Sequence, residues 1–278
     1  MKIAIISDIH GNDEALNAVL QDINEKKCDK IFCLGDLAMA GPEPSKVTNK
    51  IKKLLQNDNF LLIQGNTDQK LGTYNENFEK VLDEKVPVMA NAYRADMKDL
   101  SIEDKEFLAN LPENLTVEEN GVKIMLCHGS PRKNDENITP DLPIETVEEM
   151  VKDTDAEVIF CGHTHMPCGY ATNTGKTVVN AGSVGRPFSE TPKACYAIMD
   201  IKENGDYEIE HRLIKYDIET AAQKLEKRGF DPIKQISGYL LSGDPGYISN
   251  YKKSRSKILE YDRAEVLAIV LEEYLDKQ

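Results

Sequence analysis

The sequence predicts an α/β fold, and two observations carry that expectation. Short β-rich runs alternate with segments whose apolar residues recur at helical spacing over the first 63 residues. Further on, Asn120-Gly121 sits between two β-like runs, the signal of a two-residue hairpin turn, so the second half turns at least partly antiparallel. Strands alternating with amphipathic helices imply a sheet with helices packed on its faces.

The elements follow in order. Lys2 to Ser7 reads as a strand, and Asp13 to Lys27 as a helix with Ala15, Leu16, Val19, Leu20 and Ile23 on one face. Lys30 to Leu34 and Pro44 to Gln56 repeat the unit, and Phe60 to Ile63 adds a third strand. Thr67 to Pro112 is mainly helical and crosses over the sheet, with Ser101 and Asp104 forming a capping box ahead of Phe107, Leu108 and Leu111. Strands are expected at Leu115 to Glu118, Val122 to Cys127, Glu157 to Cys161, Gly169 to Thr172, Thr177 to Asn180, Ala194 to Ile201 and Tyr207 to Ile214. From Asp217 the pattern becomes helical and ends with Arg263 to Leu275. No internal repeat or low-complexity linker marks a separately folded second domain.

Composition narrows the function. The chain has 278 residues, 40% apolar and 29% charged, enough for a full hydrophobic core. Its 34 Lys and Arg against 48 Asp and Glu give a net charge of −14, the wrong sign for binding a nucleic-acid duplex through its backbone. An anionic substrate must therefore meet a local positive charge. No apolar run reaches the roughly 18 to 20 residues of a membrane span, and Asp8 cuts the N-terminal apolar run before a signal-peptide core could form. A cytoplasmic protein without a membrane partner is expected. The six cysteines include no CxxC pair, and Cys33, Cys127 and Cys161 lie in apolar runs as buried reduced thiols.

Histidine placement is the strongest functional signal. His10 lies in Ser7-Asp8-Ile9-His10-Gly11-Asn12, His128 in Cys127-His128-Gly129-Ser130, and His163 and His165 in Gly162-His163-Thr164-His165. Each follows an apolar β-like run, as do Gly35-Asp36 and Gly65-Asn66-Thr67-Asp68. Open α/β sheets bind ligands outside the carboxyl ends of their strands, so these clusters are expected to converge. Asp8, His10, Asp36, Asn66, His128, His163 and His165 exceed the needs of one tetrahedral zinc and suit two divalent ions sharing a carboxylate. Taken singly, Asp8 could be a helix cap, Asp36 a turn residue and His128 a satisfied core histidine. Only the whole set favours the metal reading. His211 falls in an ordinary alternating strand and is assigned no function.

The ordered motifs D-x-H, G-D, G-N-T-D, G-H and G-H-x-H resemble those of the calcineurin-like metallophosphoesterase superfamily, over about residues 1 to 215. The resemblance implies a four-layer α/β/β/α sandwich of two mixed sheets flanked by helices. Residues 216 to 278 would then form a C-terminal helical appendage packed on the same domain. It also implies that Asp8, His10 and His165 hold one metal, that Asn66, His128 and His163 hold the other, and that Asp36 bridges both. The ions would be Mn²⁺, Fe²⁺/Fe³⁺ or Zn²⁺. Asp36, Asn66, Asp68 and His128 are the candidate catalytic residues. Gly41-Pro42-Glu43-Pro44, His128-Gly129-Ser130-Pro131-Arg132 and Asn180-Ala181-Gly182-Ser183-Val184-Gly185 are most similar to the bacterial and archaeal branch of phosphodiesterases and diadenosine-polyphosphatase-like enzymes.

The implied activity is hydrolysis of phosphodiester or phosphoanhydride bonds by direct attack of a metal-bridging hydroxide. The substrate would be a small phosphorylated molecule such as a nucleotide or dinucleoside polyphosphate. Many members carry His in the third motif, where it assists leaving-group departure with its acidic neighbour. This chain has Thr67, which cannot act as a general acid near neutral pH, so diesters and anhydrides are favoured over monoesters with poor leaving groups. Arg132 and Arg186 follow glycine-containing turns and are candidate phosphate contacts, with a surface salt bridge the alternative for each. Lys252, Lys253, Arg255 and Lys257 read as a solvated helix end rather than a nucleotide lid. A non-catalytic binding scaffold and a serine/threonine protein phosphatase are the competing functions. The oligomeric state is left open.

Overall fold

The computed structural model describes residues 1–188, 193–228, 239–240 and 258–275. The cationic stretch from Lys252 to Lys257 lies outside the described residues.

Two five-stranded mixed sheets face one another. In the first, β1 (Lys2–Ile6), β2 (Lys30–Cys33) and β3 (Phe60–Leu62) run parallel, while β9 (Ala194–Ile201) joins β1 antiparallel and β10 (Tyr207–Ile214) closes the edge. In the second, β5 (Val122–Leu126), β6 (Val158–Cys161) and β8 (Thr177–Asn180) run parallel, flanked by antiparallel β4 (Leu115–Glu119) and β7 (Cys168–Ala171). The hairpin between β4 and β5 turns on Asn120 and Gly121, whose φ values of 47° and 80° are those a type I′ turn demands.

Strand alternation builds the layers. Ile3 and Ile5 point between the sheets, where they pack with Phe32, Leu34, Ile63, Ile124, Leu126, Val158 and Phe160. Ala4 and Ile6 point the other way, towards α1 (Asp13–Glu25) and α2 (Pro44–Leu54), which bury Leu16, Val19, Val47 and Ile51 against them. On the far side, Met125, Cys127, Ile159 and Cys161 of the second sheet pack with Val147, Met150 and Val151 of an eight-residue helix, Ile144–Val151. The order is helix, sheet, sheet, helix, the four-layer sandwich expected from the motifs.

The helical crossover consists of α3 (Asn66–Gly72), α4 (Glu76–Lys85), α5 (Pro87–Asp99) and α6 (Ile102–Ala109), and it links the edge of the first sheet to the edge of the second. Ser101 and Asp104 form the expected capping box at the start of α6. The helix Ile144–Val151, call it α7, is not among the elements the sequence predicts. It is short and enters through Pro143 without a side-chain cap, so the usual start signal is missing. After β10 come α8 (Ile218–Lys227), capped by Asp217, and the helix Arg263–Leu275. Among the described residues, no helix is long and apolar enough to cross a membrane.

All six cysteines are free, and burial pushes the thiols of Cys28 and Cys168 up to about 11 and those of Cys33, Cys127 and Cys161 higher still. His211 Nε2 donates to Asn180 O at 2.7 Å, a structural link between the two sheets. Phe160 is fully buried between the sheets. Phe160→Ala should cost about 3–5 kcal/mol, read as a lower denaturant midpoint at unchanged slope.

Candidate metal centre

The seven candidate ligands singled out in the sequence all lie beyond strand ends, and their side chains meet. Asp8 and His10 follow β1, Asp36 follows β2, Asn66 opens α3 after β3, His128 follows β5, and His163 and His165 follow β6. Asp8, His10, Asp36, His163 and His165 all adopt left-handed backbone, with φ of 55°, 47°, 55°, 66° and 61°. Such residues are uncommon outside glycine and cost on the order of 1–3 kcal/mol each. The chain turns sharply at each strand end to aim a side chain at one point. Gly162 lets this happen, because a Cβ there would stand 2.0 Å from Ser7 Oγ and 2.5 Å from Asp8 Oδ2.

The donor atoms form two overlapping groups. Asp8, His10 and His165 make one and Asp8, Asp36 and His128 the other, with ligand atoms within 4.8 Å of one another in each. His165 Nε2 stands 3.1 Å from Asp8 Oδ1, and His10 Nε2 stands 3.6 Å from the same oxygen. Asp36 Oδ2 lies 3.7 Å from His10 Nε2 and 3.4 Å from His128 Nε2, so it stands between the two groups. Asn66 Oδ1 lies 3.1 Å from His128 Nε2 and 2.9 Å from His163 Nδ1.

The surroundings fix which atoms face inward. His10 Nδ1 lies 3.2 Å from Ala38 O and 3.1 Å from Met39 O, His128 Nδ1 lies 2.7 Å from Leu34 O, and His165 Nδ1 lies 2.8 Å from Arg186 O. A carbonyl oxygen only accepts, so each Nδ1 carries the proton and each Nε2 is turned to the centre. The Nε2 atoms of His10 and His165 are only 3.0 Å apart. Asp8 Oδ2 accepts from Ser7 Oγ at 2.6 Å and His163 N at 3.0 Å, while its Oδ1 is buried with no hydrogen-bond partner. A buried unpaired carboxylate oxygen beside converging imidazole lone pairs is the donor set a divalent cation satisfies.

Charge follows this geometry. Burial works against ionisation of Asp8 and Asp36, but the imidazoles around them overcome it and hold both carboxyls well below the usual carboxylate range. Burial also opposes a charge on His128, yet Asp36 and Asp8 push it up to about 10. Burial leads in pushing His163 and His165 down, which keeps both neutral at neutral pH.

Asp68 is fully buried and its carboxylate faces backbone: Asp36 N at 2.7 Å, Leu37 N at 2.9 Å and Gly65 N at 3.0 Å all donate to it. Burial and the neighbouring Asp36 push it up to about 7. Thr67 N donates to Asp36 Oδ1 at 2.8 Å, and Thr67 Oγ1 donates to Ala38 O at 3.3 Å. Arg132 is paired with Glu136, at 2.5 Å from Nη2 and 3.2 Å from Nε, and is 38% exposed. The charge of Arg186 contributes to depressing His165, and Arg186 N is held by Ser183 Oγ at 2.8 Å.

Several supports are not among the sequence candidates. Ser183 Oγ donates to Asp8 O at 2.8 Å, and Asn180 Nδ2 donates to Gly162 O at 2.7 Å and Thr164 Oγ1 at 2.9 Å. Asn12 caps α1 through Ala15 N while its amide donates to Gly185 O at 3.0 Å. Their signal in the sequence is a small polar residue within two positions of a glycine.

Residues 1–204 match the family model of the calcineurin-like phosphoesterase superfamily domain. This chain belongs to that superfamily. An uncharacterized protein of Methanocaldococcus jannaschii is 35% identical over 243 residues, 81% of this phosphoesterase-superfamily chain and 92% of its own length. A solved structure of a hypothetical protein from Pyrococcus horikoshii superposes with a TM-score of 0.73 at 26% identity, covering 82% of this chain and 93% of that one. A metallophosphoesterase from Sphaerobacter thermophilus gives 0.66 at 26% identity, covering 82% and 94%.

The C-terminal part has a second resemblance. Residues 201–276 match the family model of IreB regulatory phosphoprotein. A UPF0297 protein of Ruminiclostridium cellulolyticum is 50% identical over 54 residues, 19% of this chain and 61% of its own length.

Ligation of a metal by His128 would make metal binding pH-dependent with a definite sign. A group raised to about 10 holds its proton at pH 8, and ligation would have to displace it. Loading metal-stripped protein with Mn²⁺ at pH 8 should therefore release about one proton, and the association constant should rise about tenfold per pH unit from 7 to 8.5. Calorimetry in buffers of different ionisation enthalpy measures both.

Proposed function

We propose that this protein is a metal-dependent phosphohydrolase that cleaves phosphodiester or phosphoanhydride bonds in a small substrate, a nucleotide or dinucleoside polyphosphate among the candidates. Asp8, His10 and His165 would hold one divalent ion, Asn66, His128 and His163 a second, and Asp36 would bridge them. Superfamily membership supports phosphoester hydrolysis. The observation that carries the two-ion reading is the pair of overlapping donor groups sharing the unpaired Asp8 Oδ1, with Asp36 Oδ2 between them.

Divalent ions bound there would polarise phosphoryl oxygens and lower the pKa of water towards about 7, so that hydroxide is the nucleophile and no covalent enzyme intermediate is required. The chain's own groups set the stage. Carbonyl oxygens lock the tautomers of His10, His128 and His165. Asp68 fixes the turn that carries Asp36 by accepting from Asp36 N and Leu37 N, so its role in this reading is positioning. Arg186, whose charge reaches His165, would supply positive charge to a bound phosphoryl group. Arg132 would reach substrate only by leaving Glu136.

Thr67 favours diesters and anhydrides. Its hydroxyl is turned to Ala38 O, and no imidazole stands at that position to protonate a departing alkoxide. We place the boundary between this domain and the appendage at 215/216. Its support is β10, which pairs with β9 along eight residues and so completes the first sheet beyond the family match.

Metal content and Mn²⁺ titration, followed by turnover of a diester, a dinucleoside polyphosphate and an alkyl monoester, test the reading. Asp36→Asn should reduce kcat by about 100-fold or more without unfolding the chain, since even the residues supporting metal ligands contribute about 10–100-fold. Full activity in Asp36→Asn would remove Asp36 from the bridging role. Inertness of the metal-loaded protein on every substrate would favour a binding scaffold. Thr67→His should raise alkyl monoester turnover about tenfold or more while changing the diester rate far less.

A further inference from the structure

Residues 38–41 form the loop whose carbonyls hold the His10 ring, through Ala38 O and Met39 O. Met39 and Ala40 both have left-handed backbone, with φ of 86° and 58°. Gly41 approaches the His10 main chain so closely that a Cβ would stand 1.5 Å from His10 O. A loop held in this shape needs external ties.

The ties come from two distant parts of the chain. Asp96 of α5 is fully buried, and its Oδ2 accepts from Met39 N at 2.6 Å. Its Oδ1 accepts from Arg228 Nη2 at 2.9 Å, the same nitrogen donates to Asp99 at 2.6 Å, and Arg228 Nη1 donates to Gly41 O. Four residues earlier, Lys224 of α8 pairs with Glu43 Oε2 at 2.7 Å and also with Glu14. Asp13, Glu14 and Glu43 could be mistaken for a cation site, but Lys46, Lys50 and Lys224 already neutralise them. Arg228 thus grips the loop from outside at Gly41 O, and Lys224 ties down Glu43 just beyond it, while the loop's carbonyls grip His10 from inside.

Both cations lie beyond the phosphoesterase match and within the stretch that resembles a regulatory phosphoprotein family. We infer that Arg228 is a positioning residue for His10, coupling the C-terminal segment to the metal centre through Asp96 and the 38–41 loop. This rests on the two-ion reading above. Releasing Arg228 leaves Asp96 as a buried carboxylate without its cation, and the loop carbonyls lose their fixed aim at His10 Nδ1. The ion held by Asp8, His10 and His165 is then bound more weakly, while the ion on Asn66, His128 and His163 is left unchanged. A change in the C-terminal segment that moves α8 has the same effect, so the segment can set metal occupancy without touching the site.

The test is Mn²⁺ binding by calorimetry to the full chain, comparing wild type with Arg228→Gln, Arg228→Lys and, as control, Arg212→Gln. Arg212 pairs with Asp22 at 3.0 Å, a partly buried tie between β10 and α1 that makes no contact with the loop. Arg228→Gln should weaken one of the two binding events about tenfold and leave the other within about threefold. Arg228→Lys should fall between, since an ammonium keeps the charge but cannot span Gly41 O, Asp96 and Asp99 together. Arg212→Gln should lower the melting temperature and leave both affinities in place. Unchanged affinities in Arg228→Gln, or a uniform loss that tracks melting temperature as closely as in the control, would overturn the inference. Failure of wild type to bind two ions would instead overturn the two-ion reading, and the inference with it.

Discussion

A carboxylate oxygen buried without a hydrogen-bond partner organises this molecule. Asp8 Oδ1 is surrounded by the Nε2 atoms of His165, His10 and His128 at 3.1, 3.6 and 3.9 Å. Everything else about Asp8 is satisfied. Its N–H donates to Gly35 O, its carbonyl accepts from Gly185 N and Ser183 Oγ, and its second oxygen accepts from Ser7 and from His163 N. An isolated group in this position would raise its pKa and neutralise, but the imidazoles drive it the other way. The fold concentrates two carboxylates and four imidazoles at one point and leaves Asp8 Oδ1 there without a hydrogen-bond partner.

The two sheets exist in their observed relation because both feed that point. His163 N, from the second sheet, donates to Asp8 on the first, and His128 Nδ1, also from the second, donates to Leu34 O on the first. The apolar layer between the sheets supplies the free energy that makes left-handed backbone at five of the converging positions tolerable. Packing and strain are therefore linked across the same interface: the side chains of Ile3, Ile5, Phe160 and Leu126 hold together the strands whose ends are bent.

Legibility in the sequence divides along the same line. Strand ends were readable because apolar runs stop abruptly at Gly, Asp or His, and a period of two places successive side chains on opposite faces. The convergence of Asp8, Asp36, Asn66 and the four histidines follows from the strands being neighbours in two facing sheets. Asp68 shows where adjacency in sequence stops informing. It follows Asn66 by two residues, but it occupies the third position of α3, where a carboxylate reaches back to the N-cap backbone. Its buried contacts with Asp36 N and Leu37 N then depend on β2 and β3 lying side by side, which a list of motifs does not contain. The tie between Arg228 and Asp96 spans 132 residues and has no local pattern at all.

The placement of positive charge bears on how a chain of net charge −14 would attract a phosphate. Arg132 is occupied by Glu136, Lys224 by Glu14 and Glu43, and Arg228 by Asp96 and Asp99. Each of these cations near the strand ends serves the frame. Two divalent ions set against the carboxylates of Asp8 and Asp36 would leave the centre net positive, and in a largely buried setting that charge is weakly screened. The attraction for substrate would then be conditional on metal occupancy. On that reading the loop behind His10, tied from the C-terminal segment, would be a point of leverage on the whole site: a modest change in how firmly one imidazole is aimed would alter both the charge that draws a phosphate and the groups that act on it.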